Sequence, residues 1–337
     1  MTVAVTGGTG FIGQALVARL ASEDQPIRLI VRRESSSRLP KKVSVETVAA
    51  DLNDVYSLRA ALQGCQQVYH LAALAKNFDL EPRNFYRVNV EGFHSLLEAS
   101  LAVGLKRVVF VSSSVVKGPS RGEPVRESSC RRDVPFFTDY EKSKALAEKI
   151  IDDYLAKGLE IMVARPTRVY GPGPLTEANS VTRLIKIYLK YRLSLILNQG
   201  QEIGNYVYVD DVAKGLQLIM KKGRAGEDYI LGGENVSLNE FYNTLEEVSQ
   251  RKASRLKISV PLALAVARLE TMKAGWLGLY PFITTSWVRT FLENWAFSHQ
   301  KASEELGYEP RSLREGLRLT CEWLGYLERR TDLARSS

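Results

Sequence analysis

Short apolar runs alternate with helical patterns over the first half of the chain, from residue 2 to about residue 166. Between the first two runs, apolar residues recur with helical spacing from Phe11 to Leu20, which predicts a helix with one face packed on a sheet. This alternation is typical of a parallel sheet joined by crossover helices, so the fold class we expect is α/β with a doubly wound parallel sheet. The strand-like runs are residues 3–5, 27–31, 68–70, 108–111 and 161–164.

The pattern changes after Gly171, where residues 171–174 read Gly-Pro-Gly-Pro and helical patterns outnumber strand-like runs. Apolar runs at 206–209 and 229–231 then predict two strands that return to the sheet. We therefore predict interleaved domains, with a smaller, mostly helical C-terminal region that binds substrate. The predicted boundaries are 1–170 plus 205–233 for the sheet domain, 171–204 plus 234–328 for the substrate region, and 329–337 for a flexible tail.

Composition describes an ordinary globular protein of 337 residues with 45% hydrophobic content, a length that suggests about two domains. Cys65, Cys130 and Cys321 lie far apart without paired spacing, so we expect neither a disulfide framework nor a metal site. The first residues follow a strand pattern and not that of a secretion signal, which favours a cytoplasmic location. The net charge of +8 comes from scattered basic residues without a nucleic-acid motif, so we expect no nucleic-acid partner.

Three glycines, Gly7, Gly10 and Gly13, follow the first strand and open the first helix. In a dinucleotide-binding turn the first glycine permits a tight bend, the second lets the backbone approach a pyrophosphate, and the third allows close packing of helix and strand. The helix N-terminus supplies unpaired N–H groups to the phosphates. The sequence therefore predicts a Rossmann dinucleotide site. The other residues of the turn expected to contact the cofactor are Thr9, Phe11 and Ile12.

Two arginines, Arg32 and Arg33, stand at the end of the second predicted strand, where an enzyme that prefers NAD usually carries an acidic residue. A guanidinium cannot accept from the ribose 2′-hydroxyl of NAD, but it forms charge-assisted bonds with the 2′-phosphate of NADP. We therefore expect NADP as the cofactor and NAD as the less favoured one. Glu34 leaves the alternative open, because it takes the acidic position if the strand ends later.

Tyr140 and Lys144 begin a strongly helical segment, which places them one turn apart on the same helix face. An ammonium close to a phenol favours the phenolate, so we expect Lys144 to lower the pKa of Tyr140 for acid-base catalysis. Residues 112–114 are three serines at the end of a predicted strand, placed to donate a hydrogen bond to a substrate oxygen. These groups together predict chemistry at a carbonyl or carbinol carbon.

Further motifs along the chain are residues 51–52, 70–73, 88–90, 165–173 and 209–213. With the glycine turn, the serines and the tyrosine-lysine pair, they make the chain similar, over nearly its whole length, to the extended short-chain dehydrogenase/reductases, the NAD-dependent epimerase/dehydratase superfamily. By this resemblance Ser113 is the catalytic hydroxyl, with Ser112 or Ser114 as the alternative if the alignment is displaced by one residue. An arginine at the matching position of flavonol-type reductases supports Arg32 as the reader of the 2′-phosphate.

The resemblance also implies further contacts with the cofactor. Lys144 would bind the nicotinamide ribose in addition to its catalytic role. His70 is interpreted as a packed residue and not as an acid or a metal ligand. The other implied positions are Asp51 and Leu52 at the adenine, Ala72 and Ala73 in the cofactor cleft, Asn89 beside the central helix, and Pro166 and Thr167 at the nicotinamide amide.

Departures from the family pattern favour one branch. Sugar dehydratases carry Thr-Asp-Glu where residues 113–115 read Ser-Ser-Val, and epimerases place an arginine ahead of the Val-Asp-Asp element at 209–211. This arginine is absent, although Arg168 and Arg183 remain as substitutes. Asp210 and Asp211 are interpreted as structural residues that cap a helix and hold a loop. The C-terminal part resembles the dihydroflavonol reductase and 3β-hydroxysteroid dehydrogenase branch.

These features predict an NADP-dependent oxidoreductase that interconverts a ketone and a secondary alcohol on an apolar, ring-containing or lipid-like small molecule. The alternatives are a nucleotide-sugar epimerase that retains NAD and a non-catalytic dinucleotide-sensing protein, which would be expected to lose Tyr140 or Lys144. Residues 260–284 are apolar but interrupted by charges, so we expect no membrane span. They would form either a substrate lid or a helix that lies on a membrane surface. The family pattern leaves a homodimer open.

Overall fold

The computed structural model of the chain describes residues 2–32, 45–131 and 134–327. A π-helical turn (Arg87–Glu91) joins α3 (Arg83–Tyr86) to α4 (Gly92–Ala102), and 3-10 helices lie at Ser114–Lys117 and Glu177–Asn179. The strands are β1 (Thr2–Thr6), β2 (Ile27–Val31), β3 (Glu46–Ala49), β4 (Cys65–His70), β5 (Arg107–Val111), β6 (Glu160–Pro166), β7 (Arg168–Tyr170), β8 (Leu193–Leu197), β9 (Ile203–Tyr208), β10 (Asp228–Leu231), β11 (Glu234–Ser237) and β12 (Ser254–Ile258). The other helices are α1 (Phe11–Ser22), α2 (Val55–Leu62), α5 (Asp139–Glu148), α6 (Ile151–Ala156), α7 (Ser180–Tyr191), α8 (Val209–Lys222), α9 (Leu238–Ser249), α10 (Val260–Leu277), α11 (Thr285–Phe291), α12 (Gln300–Leu306) and α13 (Leu313–Trp323).

Seven of these strands form one sheet in the order β10-β6-β5-β4-β1-β2-β3. All neighbours in it are parallel, which confirms the predicted doubly wound α/β fold. The strand order reverses between β1 and β4, and in such sheets ligands bind at the carboxyl ends of the strands beside this reversal. The fold therefore places the end of β1 and the ends of β4 and β5 around one cleft.

Helices cover both faces of this sheet and form two cores. Val3 and Val5 face the core beneath α1, α8 and α12, whereas Ala4 faces the core beneath α2, α4, α5 and α6. The alternation follows from strand geometry, because successive side chains of a strand point to opposite faces. A sheet buried on both faces in this way explains why its strands read as nearly continuous apolar runs.

The five strands predicted for the first half of the chain are all present in the main sheet, and the run at 229–231 becomes β10 at its edge. The prediction for residues 206–209 was wrong. Most of this run lies in β9, which pairs with β7 and β11 in a separate three-stranded sheet. An apolar run specifies a buried strand but not its partner, which is decided by long-range packing. The domain boundaries stay a prediction.

The C-terminal region is largely helical, as predicted, but it also contains two small sheets. One consists of β11, β9 and β7, and the other of β12 and β8. Helices α7, α9 and α13 pack on the first of these sheets around buried aromatic rings that include Tyr188, Tyr206 and Phe241. This aromatic core holds the C-terminal region in place beside the carboxyl edge of the main sheet, where β6 continues into β7.

Asp210 and Asp211 hold a loop, as predicted, but they do not cap α8. Their carboxylates pair with Arg311 at 3.0 and 2.9 Å, and Asp210 also pairs with Arg19 of α1 at 3.1 Å. The N-cap position belongs to Tyr208, which makes no side-chain cap bond. Asp210 and Asp211 lie two and three positions after the N-cap residue, and their carboxylates bind the guanidinium groups instead.

A buried ion cluster fastens β6 to α5 and to β10. Arg165 is 4% exposed and donates to both oxygens of Glu148 at 2.6 and 2.9 Å and to Asp228 at 2.5 Å. Lys117 adds an ion pair with Asp228 at 3.1 Å, and the Ser112 hydroxyl donates to Glu148. The cluster thereby fixes the position of α5 against the carboxyl edge of the sheet.

Replacing Arg165 with methionine should lower the free energy of unfolding by about 3–5 kcal/mol. The largely buried carboxylates of Glu148 and Asp228 would both lose the guanidinium that binds them. The matched control is Arg121→Met, which breaks an ion pair with Glu293 in which the arginine side chain is 46% exposed. That variant should lose about 1 kcal/mol or less. Denaturant titration of both variants measures the difference, and equal losses would contradict the role given to the cluster.

Candidate active site

The glycine turn is closed by backbone contacts that exclude a side chain. Gly7 has a φ of +73°, and a Cβ built on it would lie 2.5 Å from the backbone nitrogen of Ala72. A Cβ on Gly13 would lie 2.1 Å from the carbonyl oxygen of Gly7. Neither position accepts any residue but glycine without a backbone shift. The two contacts hold the N-terminus of α1 at the end of β1.

This N-terminus is suited to an anion. Gly10 occupies the N-cap without a side-chain cap bond, and the first turn of α1 carries no acidic residue. The unpaired N–H groups and the helix dipole therefore favour a negative charge here. The Gly10 N–H itself donates to the Gly7 carbonyl at 2.9 Å. The turn fits the pyrophosphate of a dinucleotide, which the backbone N–H groups of Phe11 and Ile12 would bind. Thr9 and Phe11 belong to the same turn.

Arg32 is exposed directly after β2 and forms no ion pair with any described residue. Asp51, also exposed, follows the neighbouring strand β3, and its carboxylate accepts a hydrogen bond from the Asn53 N–H at 2.9 Å. Leu52 is the next residue and packs close to Gly92 of α4. The register of β2 and β3 brings Arg32 and Asp51 to the same edge of the sheet. Arg33 lies outside the described residues.

His70, at the end of β4, is a packed residue, as predicted. Its Nδ1 lies 2.8 Å from the Thr6 hydroxyl, and its ring stacks on Phe93 and Phe110. Burial and the nearby charge of Lys144 lower the pKa of His70 to about 3, so the imidazole is neutral at physiological pH. The Thr6 hydroxyl also accepts from the Ala72 N–H at 3.3 Å, which ties the cofactor cleft to β1.

Tyr140 lies in the first turn of α5, which begins at a well-formed cap. The Thr138 hydroxyl at the N-cap accepts from the Glu141 N–H at 3.2 Å. Burial raises the pKa of Tyr140 to about 12, although the neighbouring Ser113 hydroxyl acts to lower it. The phenol is therefore protonated at neutral pH, which suits it to donate a proton.

Lys144 is 1% exposed and lies one turn after Tyr140. Its Nζ donates to the Val111 carbonyl at 2.8 Å and lies 4.7 Å from the centre of the Phe110 ring. Burial lowers the pKa of Lys144 to about 7. The expectation that Lys144 lowers the pKa of Tyr140 is therefore wrong for the ligand-free protein, because the amine is itself desolvated and is directed at a backbone carbonyl.

The three serines after β5 have different surroundings. Ser112 is buried, and its hydroxyl donates to Glu148 in the ion cluster. Ser114 is also buried. Ser113 is only partly buried and is the serine close enough to the Tyr140 phenol to act on its pKa. The geometry therefore brings Ser113, and neither of its neighbours, to the phenol.

Asn89 connects the loop after β4 to the helix that carries Tyr140. It lies in the π-helical turn, accepts from the Leu74 N–H at 2.8 Å and donates to the Ser143 hydroxyl at 2.9 Å. Ser143 in turn donates to the Tyr140 carbonyl at 2.9 Å. Sequence reasoning missed Ser143, although its place between Tyr140 and Lys144 on the same helix was a signal.

Thr167 follows β6 at the carboxyl edge, directly after Pro166. Its hydroxyl donates to the Asn205 amide oxygen at 2.7 Å, and that oxygen also accepts from the Gly233 N–H at 2.8 Å. Asn205 is fully buried on β9. Sequence reasoning did not identify it, because its partners are 38 and 28 residues away. On the other side of the edge, Ala72 and Ala73 are partly buried after β4.

Two aromatic pairs join elements next to Tyr140 to the C-terminal region. Phe137, three residues before it, packs edge-on against Trp295 with ring centres 6.1 Å apart. The loop after β4, which Asn89 ties to α5, carries Phe78, and this ring packs edge-on against Tyr280 at 5.9 Å. The segment before Tyr140 and the loop after β4 thus both contact aromatic side chains of the C-terminal region.

The buried amine of Lys144 should make the ligand-free protein less stable below neutral pH. Its pKa is about 7 in the folded protein and about 10.4 when unfolded, so the unfolded chain binds more protons between these values and stability rises with pH there. The stability advantage of Lys144→Met over the wild type should be largest below pH 7 and shrink towards pH 10. Denaturant titration across this range measures it. A constant difference would show that Lys144 is not desolvated as described.

Comparison with known proteins agrees with this geometry. The chain is 30% identical to sterol demethylase protein B of Methylococcus capsulatus over 270 residues, 80% of this chain and 81% of the relative. It is 28% identical to a 3 beta-hydroxysteroid dehydrogenase/Delta 5→4-isomerase of Mycobacterium tuberculosis, covering 91% and 86% of the two chains. Among solved structures, a UDP-glucose 4-epimerase of Thermotoga maritima superposes with a TM-score of 0.79 at 25% identity, covering 96% of this chain and 99% of that one.

The glycine turn, the serine and the tyrosine-lysine pair all fall within one matched segment. The model of the NAD dependent epimerase/dehydratase family matches residues 3–232, more than half of the chain. The predicted resemblance is confirmed, and so is the prediction of an NAD(P)-dependent enzyme. The chain therefore belongs to the NAD dependent epimerase/dehydratase family.

Proposed function

We propose that the protein is an NADP-dependent oxidoreductase that interconverts a ketone and a secondary alcohol on an apolar, ring-containing or lipid-like substrate. The observation that carries this proposal is the position of the Ser113 hydroxyl beside the buried phenol of Tyr140, close enough to act on its pKa, at the carboxyl edge of the sheet. Two hydroxyls that meet in this way can both bond to one carbonyl oxygen. A proton donor and a positioning donor are thus present together.

In the reducing direction Tyr140 gives its proton to the carbonyl oxygen while Ser113 donates a hydrogen bond to the same atom. A reduced nicotinamide, when bound, supplies the hydride that the carbonyl carbon accepts. The pKa of Tyr140, about 12, keeps the phenol loaded with its proton throughout the neutral range. The phenol oxygen, left with the electron pair of the broken O–H bond, recovers a proton from solvent, and alcohol oxidation is the reverse of these steps.

Lys144 supports this chemistry from one turn along α5. Its Nζ is held by the Val111 carbonyl at 2.8 Å, which leaves its other hydrogens for a ribose hydroxyl of the cofactor. With a pKa of about 7, the amine gains or loses a proton readily near neutral pH. It would therefore stabilise the phenolate that forms at Tyr140 during reduction and assist its return to the phenol.

NADP is the proposed form of the cofactor. Arg32 is exposed at the carboxyl edge, beside Asp51, and forms no ion pair with the described parts of the chain. A free guanidinium at this edge suits the 2′-phosphate of NADP, with which it forms charge-assisted bonds. Asp51 is the nearby group that would favour the ribose hydroxyls of NAD. The proposal therefore requires that Arg32, and not Asp51, binds the adenosine ribose of the cofactor.

The apolar substrate is supported by the aromatic side chains near Tyr140 and by the names of two relatives, one a sterol demethylase protein and one a steroid dehydrogenase. A sugar-nucleotide substrate would need a cation for its diphosphate. Arg168 and Arg183 are the candidates. The guanidinium of Arg168 stacks on Phe291 at 4.8 Å and lies against Gly204, whereas Arg183 is exposed on α7. The second candidate function, nucleotide-sugar epimerisation, is favoured only by the structural likeness to an epimerase.

Replacing Tyr140 with phenylalanine should lower kcat by about 10²–10⁴-fold, because the carbonyl oxygen would lose its proton donor. Tyr191→Phe, an exposed tyrosine away from the site, is the control and should leave kcat unchanged. The measurement is NADPH oxidation with a panel of cyclic and steroidal ketones, alongside UDP-glucose as the epimerase substrate. Unchanged turnover in Tyr140→Phe would refute the mechanism, and conversion of UDP-glucose without net NADPH oxidation would favour the epimerase.

Replacing Arg32 with glutamine should weaken NADPH binding by about tenfold or more and leave NADH binding nearly unchanged, since only NADPH offers a 2′-phosphate. Arg126→Gln, another exposed arginine, is the matched control. Fluorescence titration of each variant with both nucleotides gives the dissociation constants. A wild-type protein that binds NADH more tightly than NADPH would overturn the assignment of the cofactor.

A further inference from the structure

Helix α10 and the segment after it expose an apolar surface. Eight of the fourteen exposed large hydrophobic residues in the described part of the chain lie between residues 262 and 282. Trp276 is 84% exposed and Phe282 is 79% exposed. Soluble monomers rarely expose so many large apolar side chains together, except where something binds. The eight residues, called here the α10 face, are Leu262, Val266, Leu269, Met272, Trp276, Leu279, Tyr280 and Phe282.

The orientation of α10 is the reverse of that of an ordinary surface helix. Its small residues, Ala263 and Ala267, are buried in a cluster with Val288 of α11. Its large residues, such as Leu262 and Leu269, lie on the exposed side at helical spacing. A surface helix usually turns its large apolar residues inward, so the α10 face is organised for contact with something outside the chain.

The segment that carries the α10 face has a positive net charge. From β12 to α11, residues 254–291 carry five basic residues and one acidic residue, a net charge of +4 in a chain whose total is +8. The single acid, Glu270, is already bonded to Lys273 at 2.7 Å and to the Phe282 N–H at 3.3 Å. The five basic residues, all exposed, are Arg255, Lys257, Arg268, Lys273 and Arg289.

We propose that the α10 face docks on the surface of an anionic lipid bilayer. Apolar side chains flanked by basic ones are what an interfacial helix needs, because the first enter the acyl boundary and the second bind anionic headgroups. None of the described helices is long and apolar enough to cross a membrane, so the contact lies in the plane of the surface. The proposal rests on this surface and does not require the proposed reaction.

The α10 face is joined to the site through Tyr280. The Tyr280 hydroxyl lies 2.8 Å from the Phe78 carbonyl and 2.6 Å from the Glu177 carboxylate. Phe78 belongs to the loop after β4 that Asn89 ties to the helix of Tyr140. A bilayer against the α10 face would therefore lie next to the aromatic approach to the site, where an apolar substrate would enter.

A second copy of this chain is a poorer occupant for the same face. A twofold dimer brings the same patch of both copies together, and here that would place two surfaces of net charge +4 against each other. Like charges across an interface oppose association. Arg268 and Arg289 form no ion pair with any described residue, so both remain available to anionic headgroups.

The test is co-sedimentation of the full chain with vesicles, without substrate or nucleotide. One set is pure phosphatidylcholine, and the other contains about 30% phosphatidylglycerol. The wild type should bind the anionic vesicles and not the neutral ones. The double variant Leu269→Ser/Trp276→Ser should bind at least about tenfold more weakly, because two large apolar side chains no longer enter the lipid. Tyr56→Ser is the matched control, since Tyr56 is 81% exposed on the distant helix α2, and its binding should equal that of the wild type.

The basic residues have their own test. Arg268→Gln/Arg289→Gln should weaken binding to anionic vesicles severalfold, whereas Lys106→Gln/Lys149→Gln, two exposed lysines outside the segment, should bind nearly as well as the wild type. Tryptophan emission should shift to the blue on binding, and Trp276→Phe should remove most of that shift. The shift reports on the folded wild type even if a double variant fails to fold.

Three results would overturn the proposal. The first is a wild type that binds neither vesicle, and the second is a Tyr56→Ser variant that loses as much binding as the double variant. The third is a dimer in sedimentation velocity that Leu269→Ser/Trp276→Ser dissociates while vesicles bind no protein, which would assign the α10 face to a second copy. Because no turnover is measured, none of these results bears on the reaction proposed for Tyr140.

Discussion

Gly13 of α1 lies so close to the carbonyl of Gly7 that a Cβ there would come within 2.1 Å of the oxygen. This approach fixes the first turn of α1 at the end of β1, beside the point where the strand order reverses. The helix N-terminus therefore opens onto the carboxyl edge of the sheet. The other groups of the candidate site, from Thr6 to Tyr140, lie around this helix N-terminus, where the pyrophosphate would bind.

Beneath the site, charged groups are buried where an ordinary core would be apolar. Arg165 is paired with Glu148 and Asp228, and this cluster holds the helix that carries Tyr140 and Lys144. Among the described residues, the Val111 carbonyl is the hydrogen-bond acceptor of Lys144. Burial of the amine lowers its pKa and reduces the stability of the folded protein. The buried Lys144 amine lowers stability, and in the proposed reaction it would bind a ribose hydroxyl and the Tyr140 phenolate. Such a loss of stability in favour of function is common in enzymes.

The C-terminal region contacts the elements around Tyr140 and also carries an exposed apolar surface. Its Trp295 packs against Phe137, three residues before Tyr140, and its Tyr280 contacts the loop after β4. The same region carries half of the net charge of the chain in residues 254–291 and the exposed α10 face. An apolar entrance and a basic, apolar outer surface thus belong to one structural unit, which links the proposed choice of substrate to the proposed docking on lipid.

The sequence by itself determined six of the seven strands of the main sheet, the glycine turn and the Tyr140-Lys144 spacing, because each depends on residues close together in the chain. It did not predict the short edge strand β3. Tertiary structure alone decided that β9 belongs to a separate sheet and that Ser113 lies beside Tyr140 whereas Ser112 donates to Glu148. It also decided that burial raises the pKa of Tyr140 and lowers that of Lys144. These outcomes depend on groups brought together from distant segments and on the water they exclude, and neither partner choice nor desolvation is encoded in local spacing.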